Sequence, residues 1–267
     1  MLGVCSQSLY AVDLPWDLVA VAASNTDPVT GLPLEIQTRA TGHMLRLVPA
    51  SAFAMGSTNG DEDEKPVHPV GKAAFYLGKF PVTNLQYEQF DPGHARSKYS
   101  PGDGHPVTRI SWADAAAYVL WVGKQDGQPD LYAMPSDGAW EKAARGGLEG
   151  ARYPWGETLS PEDRNLYSSA AAVPVEMGKP NGLGFYHMTG NVFCWCWDWY
   201  DRDYYQVSPG QDPYGPRTGK FRSMRGGTWY VYEQSLRCSD RWCSPPDTVS
   251  DYVGIRIARK VTGLQQR

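Results

Sequence analysis

The chain has 267 residues, 42% of them apolar and 20% charged, with a formal net charge of −4. It is long enough to bury a full core and ordinary in composition for a globular protein, and it lacks the basic stripe expected of a nucleic-acid binder. It contains no apolar run of membrane-spanning length and no basic, apolar secretory leader.

Residues 1 to about 40 show no clear period and carry turn signals such as Asp27-Pro28 and Gly31-Leu32-Pro33. They are expected to form an extension, 1–42, packed on or flanking a single domain over 43–267. Met44 to Pro49 alternates as a strand does, Phe53 to Gly56 follows, and Phe75 to Phe80 reads as the next strand. Between them the acidic run Asp61-Glu62-Asp63-Glu64 is expected to be a solvated loop. Thr83 with Gln86 fits a capping box, as the N-cap hydroxyl and the N3 side chain can satisfy each other's backbone donors. A second helix is expected from Ser111-Trp112-Ala113-Asp114 through Trp121. A third should run from Ser136 to Arg145, where Gly146-Gly147 supplies the left-handed turn that ends helices. Beyond Gly147 only short strands and long Gly- and Pro-bearing loops are expected, which makes the fold α+β with few helices.

Five cysteines, at 5, 194, 196, 238 and 243, form no even, spaced disulfide framework. Reduced thiols and a cytoplasmic location are the expectation. Aromatic residues stand out, with ten Trp and sixteen Tyr, and Trp195, Trp197, Trp199, Trp229 and Trp242 fall close together. Large amphipathic rings bury much area with few rotors, which suits interfaces.

A series of short phrases runs in order from residue 43 to 260: Met55-Gly56-Ser57, Pro81-Val82-Thr83-Asn84, His105-Pro106-Val107, Ser111-Trp112-Ala113-Asp114, Trp140-Glu141, Ala144-Arg145-Gly146-Gly147, Tyr153-Pro154-Trp155-Gly156, Gly190-Asn191-Val192, Arg225-Gly226-Gly227 and Gly254-Ile255-Arg256. Together they resemble the formylglycine-generating-enzyme (sulfatase-modifying factor) family, and the resemblance implies its variant of the C-type lectin fold. It also implies oxidation of a substrate cysteine by two thiolates that bind copper(I), five residues apart; soft sulfur ligands suit that metal. Arg237-Cys238 matches the second cysteine, but Glu233 stands at the position of the first. Cys238 and Cys243 have the spacing but on the wrong side of the matched phrase. Cys238 therefore reads as a small buried apolar residue, no catalytic residue is assigned, and the chain is expected not to be an enzyme. The histidine-held iron of the sulfoxide-forming relatives has no counterpart, since His43, His68, His94, His105 and His187 show no ligand spacing.

Relatives also hold calcium beside Gly-Asn-Val-Trp-Glu, whereas Phe193-Cys194 replaces Trp-Glu here. Loss of that carboxylate removes a hard oxygen ligand. Asn165-Leu166 resembles part of another such site without its acidic partner. No metal ligand is assigned and no cofactor is expected, calcium being the only ion the resemblance would bring.

The layout from Gly226 to Arg256 is similar to that of variable proteins of diversity-generating retroelements. In those proteins a C-terminal segment is rewritten at adenines among fixed scaffold residues. The absence of Asn after Asn191 fits that pattern. The resemblance implies a ligand-binding set of Tyr230, Val231, Tyr232, Gln234, Asp240, Trp242, Cys243, Ser244, Ser250, Asp251 and Tyr252. The rings would supply the energy, and Asp240, Ser244 and Asp251 the polar specificity, toward an unknown protein or other macromolecule. An oxidase of the formylglycine-generating type, and a structural or regulatory module of a larger complex, are the alternatives.

Overall fold

The computed structural model describes residues 14, 18–21, 25–159 and 169–261. Asn165-Leu166, Cys5 and most of the first seventeen residues lie outside the described residues.

A hairpin of β1 (Leu18–Ala20) and β2 (Glu35–Thr38) leads into β3 (Met44–Val48). The alternation read in Met44–Val48 is that of a strand with Leu45 and Leu47 buried. β4 (Ser51–Met55) pairs with β5 (His68–Lys72) as a separate two-stranded ribbon, and β6 (Phe75–Gly78) returns antiparallel beside β3. With β7 (Tyr132–Ala133) and β12 (Ala258–Lys260) these build a six-stranded sheet of order β1-β2-β3-β6-β12-β7. The last strand among the described residues, β12, thus sits in the interior of the first sheet, which ties the C-terminal segment to the fold. A second sheet has order β10-β9-β8-β11, from β8 (Phe193–Trp199), β9 (Arg222–Arg225), β10 (Trp242–Ser244) and β11 (Val253–Gly254).

Three α-helices occur among the described residues: α1 (Asn84–Tyr87), α2 (Trp112–Gln125) and α3 (Asp137–Ala144). Each begins at its expected cap. Thr83, Ser111 and Ser136 accept the N3 amide, and Gln86 and Asp114 bond back to complete capping boxes at the first two. None of these helices is long and apolar enough to cross a membrane. The main core lies between the two sheets and α2 and includes Leu45, Tyr76, Tyr118, Val119, Trp195 and Ile255. A second core surrounds Trp140 of α3 with Cys194, Cys196 and Cys238.

The acidic run is not a solvated loop. Residues Glu62–Glu64 form one 3-10 turn in which Asp63 and Glu64 are buried, because arginines from the C-terminal segment need counter-charges there. Tyr200 donates to Asp63 at 2.7 Å, and Arg237 bonds Glu64.

Candidate functional site: an aromatic face on an arginine frame

The segment from Arg225 to Tyr252 is held from below by three arginines. Arg225, fully buried, bonds Asp137 and places Nη2 2.9 Å from Glu141 of α3 and 2.8 Å from the Tyr205 hydroxyl. Its Nη1 donates to the carbonyls of Cys238 (3.2 Å) and Asp240 (3.0 Å). Arg237 bonds Glu64 and reaches Asp61 and Asp240 at 3.0 Å each. Arg241 donates to Asp137 at 3.2 Å and to the Asp63 carbonyl at 2.7 Å, with the Tyr200 and Tyr205 rings against its guanidinium. Burial alone would raise the carboxyl pKa of Asp137, but Arg225 and Arg241 more than offset that and hold it below the ordinary value. Gly226 and Gly227 (φ 101° and 68°) turn the chain out of β9. A Cβ at Gly227 would lie 2.6 Å from the Ser235 carbonyl oxygen, so the turn requires glycine.

On this frame sits a column of rings. Buried Trp229 touches Tyr99 (5.0 Å between centroids) and half-buried Tyr252 (5.3 Å), and Tyr230 stacks on Tyr252 at 5.9 Å and 21°. Tyr230 is 70% exposed and Tyr232 84%, so most of each ring faces solvent, even though Tyr230 leans on Tyr252. Trp242 is partly exposed and rests on Phe193 at 5.2 Å.

The remaining residues of the set divide by role. Gln234 is exposed, while Val231 is half-buried and packs on the main core. Ser244 bonds Thr248 at 2.8 Å, and the Ser250 hydroxyl accepts the Tyr252 amide at 3.2 Å, so both shape the loop between β10 and β11. Asp251 meets Arg109 at 3.4 Å. Cys243 is half-buried, and burial and the Asp63 charge push its thiol up.

Asp240 is a correction. Its carboxyl does not reach out to a ligand: it is buried, accepts the Trp242 indole N–H at 2.5 Å and is held by Arg237. Burial pushes it up to about 7 against the pull of Arg237. It fixes the Trp242 indole from beneath.

Outside that set, exposed Trp197 and half-buried Trp112, Trp199 and Arg222 cluster at the far end of β10. The Trp-rich text of β8 was the available signal for this cluster.

The residues at the family's metal positions fit neither ion. Cys238 is fully buried, its thiol pushed up to about 12 by burial, and Glu233 instead accepts a bond from Tyr153 at 3.1 Å. Cys238 lies in the core around Trp140, whereas Cys243 lies on β10 under the charges of Asp63 and Arg241. No two-thiolate copper(I) site follows from that. At the calcium phrase, the Asn191 amide is occupied by both backbone groups of Val173 at 3.0 Å each, and Cys194 supplies a buried thiol in place of a carboxylate.

Few helices, two curled sheets and long loops carrying an aromatic face define a C-type lectin fold of the formylglycine-generating-enzyme type. Residues 33–261 match the family described as sulfatase-modifying factor enzyme 1-like domain, and the chain belongs to it. The formylglycine-generating enzyme of Streptomyces coelicolor is 31% identical over 291 residues, which cover 82% of this chain and 90% of that protein. Serine/threonine-protein kinase pkn1 of Chlamydia pneumoniae is 34% identical over 241 residues, but the matched part spans 38% of that protein's length and 80% of this chain. Among solved structures, Treponema denticola variable protein 1 superposes with a TM-score of 0.76 at 21% identity, over 85% of this chain and 99% of that one.

The expectation that the chain is not an enzyme is overturned by these relatives, which place it in a family whose curated members include enzymes that it matches over nearly their whole length. The missing cysteine at 233 shows which thiol pair is absent. It does not show that activity is absent.

Proposed function

We propose that the exposed rings between Trp229 and Tyr252 form a recognition face for a macromolecular ligand, a protein surface in the first instance, and that 226–256 is a diversified segment of the retroelement type. The observation that carries this reading is the contrast within one stretch of chain. Tyr230, Tyr232 and Trp242 are exposed, while Arg225, Trp229, Arg237, Cys238 and Arg241 around them are buried, the three arginines bonded to buried carboxylates. Rings mounted on a rigid base lose little freedom on binding, and a central aromatic in an interface contributes about 2 kcal/mol or more. The likeness to a protein named variable protein is a likeness of fold and agrees with this reading.

Selection of displayed protein binders on the immobilised chain tests it. Binders should weaken about thirtyfold or more, the equivalent of about 2 kcal/mol, with Tyr230→Ala or Trp242→Ala. They should be indifferent to Tyr214→Ala on the exposed 201–221 connection. Binders that map elsewhere on the surface would overturn it.

Relatives named formylglycine-generating enzyme favour a second reading, oxidation of a cysteine in a protein substrate. With Glu233 and Cys238 at the family's thiol positions, groups other than that pair would have to carry it. Incubation of a cysteine peptide with the protein in air, followed by mass spectrometry, tests it: aldehyde formation supports the reading and unchanged peptide removes it.

A further inference from the structure

At the far end of β10 from Tyr230, a guanidinium lies between two indoles. The Arg222 guanidinium carbon is 3.6 Å from the Trp112 ring centroid and 3.5 Å from that of Trp199. Trp112 also leans on Trp197 at 5.3 Å. One edge of the guanidinium is closed, since Nη1 donates to the Trp197 carbonyl at 2.6 Å. Among the described residues Nε is enclosed with no hydrogen-bond partner, which leaves the guanidinium short of acceptors. Arg225, Arg237 and Arg241 on the same segment each meet a carboxylate, but among the described residues Arg222 meets none. The carboxyl whose field reaches it, Asp198, makes no ion pair with it and is itself buried, and burial and the Asp137 charge push its pKa up to about 8. Among the described residues the charge of Arg222 is therefore answered by one carbonyl and two ring faces; the rings offset part of a cation's lost hydration but cannot satisfy its remaining donors.

We infer that Arg222 is a seat for a carboxylate presented by a protein partner, an Asp or Glu side chain flanked by apolar residues. The guanidinium, which meets no carboxylate among the described residues, supplies the charge complementarity, and a carboxylate is the acceptor that such a donor pairs with most directly. The partly exposed ring of Trp197, which touches Trp112, supplies the apolar rim. Arg222 pairs with Ser244 in the register of β9 and β10, and the Trp112 amide donates to the Pro246 carbonyl at 3.0 Å, so the seat borders the loop after β10. Its residues all lie outside 226–256, and it stands independently of the recognition reading above.

The test uses the full chain labelled with nitrogen-15 and observed by NMR. The probes are the peptides Ac-Leu-Glu-Leu-Glu-Leu-NH2 and Ac-Leu-Gln-Leu-Gln-Leu-NH2, with inorganic phosphate as a third. The glutamate peptide should shift the Arg222 Nε–H and the indole N–H signals of Trp112 and Trp197 saturably. The glutamine peptide should bind at least tenfold more weakly. Arg222→Gln should abolish the response while the buried Trp140 indole signal reports an intact fold, and Tyr230→Ala should leave the response unchanged. Equal response to both peptides, no saturable response, or binding that survives Arg222→Gln overturns the inference. Tighter saturation by inorganic phosphate overturns the carboxylate assignment.

Discussion

Replacing Arg237 with Met should remove the clamp that joins the 61–64 turn to the aromatic segment. The arginine side chain is 10% exposed and meets carboxylates of Glu64 (0%), Asp240 (6%) and Asp61 (75%). The exposed Asp61 contributes little, as surface pairs do. Glu64 and Asp240 are left as buried carboxyls without a counter-charge, and breaking a buried pair in this way costs about 3–5 kcal/mol. The loss should depend on pH. Asp240 already sits at about 7, above its unfolded value, so the folded state binds more protons than the unfolded state between the two values and stability falls as pH rises through that window. Without Arg237 the window extends upward, because the cation that pulled the carboxyl down is gone. Urea unfolding followed by tryptophan fluorescence should therefore show the full loss at pH 7.5 and a clearly smaller one at pH 5. A loss below about 1 kcal/mol at pH 7.5, or the same loss at both pH values, would refute the clamp.

Four other outcomes are expected. By the same unfolding titration, Tyr230→Ala and Tyr232→Ala should change stability by no more than about 0.5 kcal/mol. Trp229→Ala, which empties a buried site, should cost about 3–5 kcal/mol. Alkylation at pH 8 with peptide mapping should modify Cys243 and spare Cys194, Cys196 and Cys238, whose burial pushes the thiols to about 11, well above the ordinary value, and about 12 respectively. Gly227→Ala should cost about 1–3 kcal/mol by thermal or urea unfolding, because a side chain there meets the Ser235 carbonyl in a left-handed turn.

The helices were legible because their signals are local: Thr83, Ser111 and Ser136 each cap the turn that follows, and Gly146 with its φ of 61° stops α3 after Arg145. β3 and β6 were legible for the same reason, one from alternation and the other from a short apolar run. The β1–β2 hairpin was not, because these strands are only three and four residues long and lie in text without a period. β8 reads Phe-Cys-Trp-Cys-Trp-Asp-Trp and is buried on both sides over its first four residues, so it lacks the polar alternation that marks a half-exposed strand. The burial of Glu64 and Asp240 was invisible because their partner Arg237 is 173 residues from the first and only three from the second. Composition shows that acids and arginines are present, and only the fold shows that they meet. The exposed rings Tyr230 and Tyr232 could be named as a set, but the seat around Arg222 depends on the β9–β10 register and on α2 arriving from far upstream.

That the exposed positions between 226 and 256 are exchangeable recognition residues on a fixed scaffold is tested most directly by sequencing the DNA beside the gene. The expected result is a near-copy of the codons for about Gly226 to Arg256, differing at adenines, together with a reverse transcriptase gene. The differences should fall on positions such as Tyr230, Tyr232 and Trp242 and should spare Arg225, Trp229, Arg237 and Arg241. A locus with neither the copy nor the reverse transcriptase, or a copy whose differences fall on the buried arginines, would contradict it.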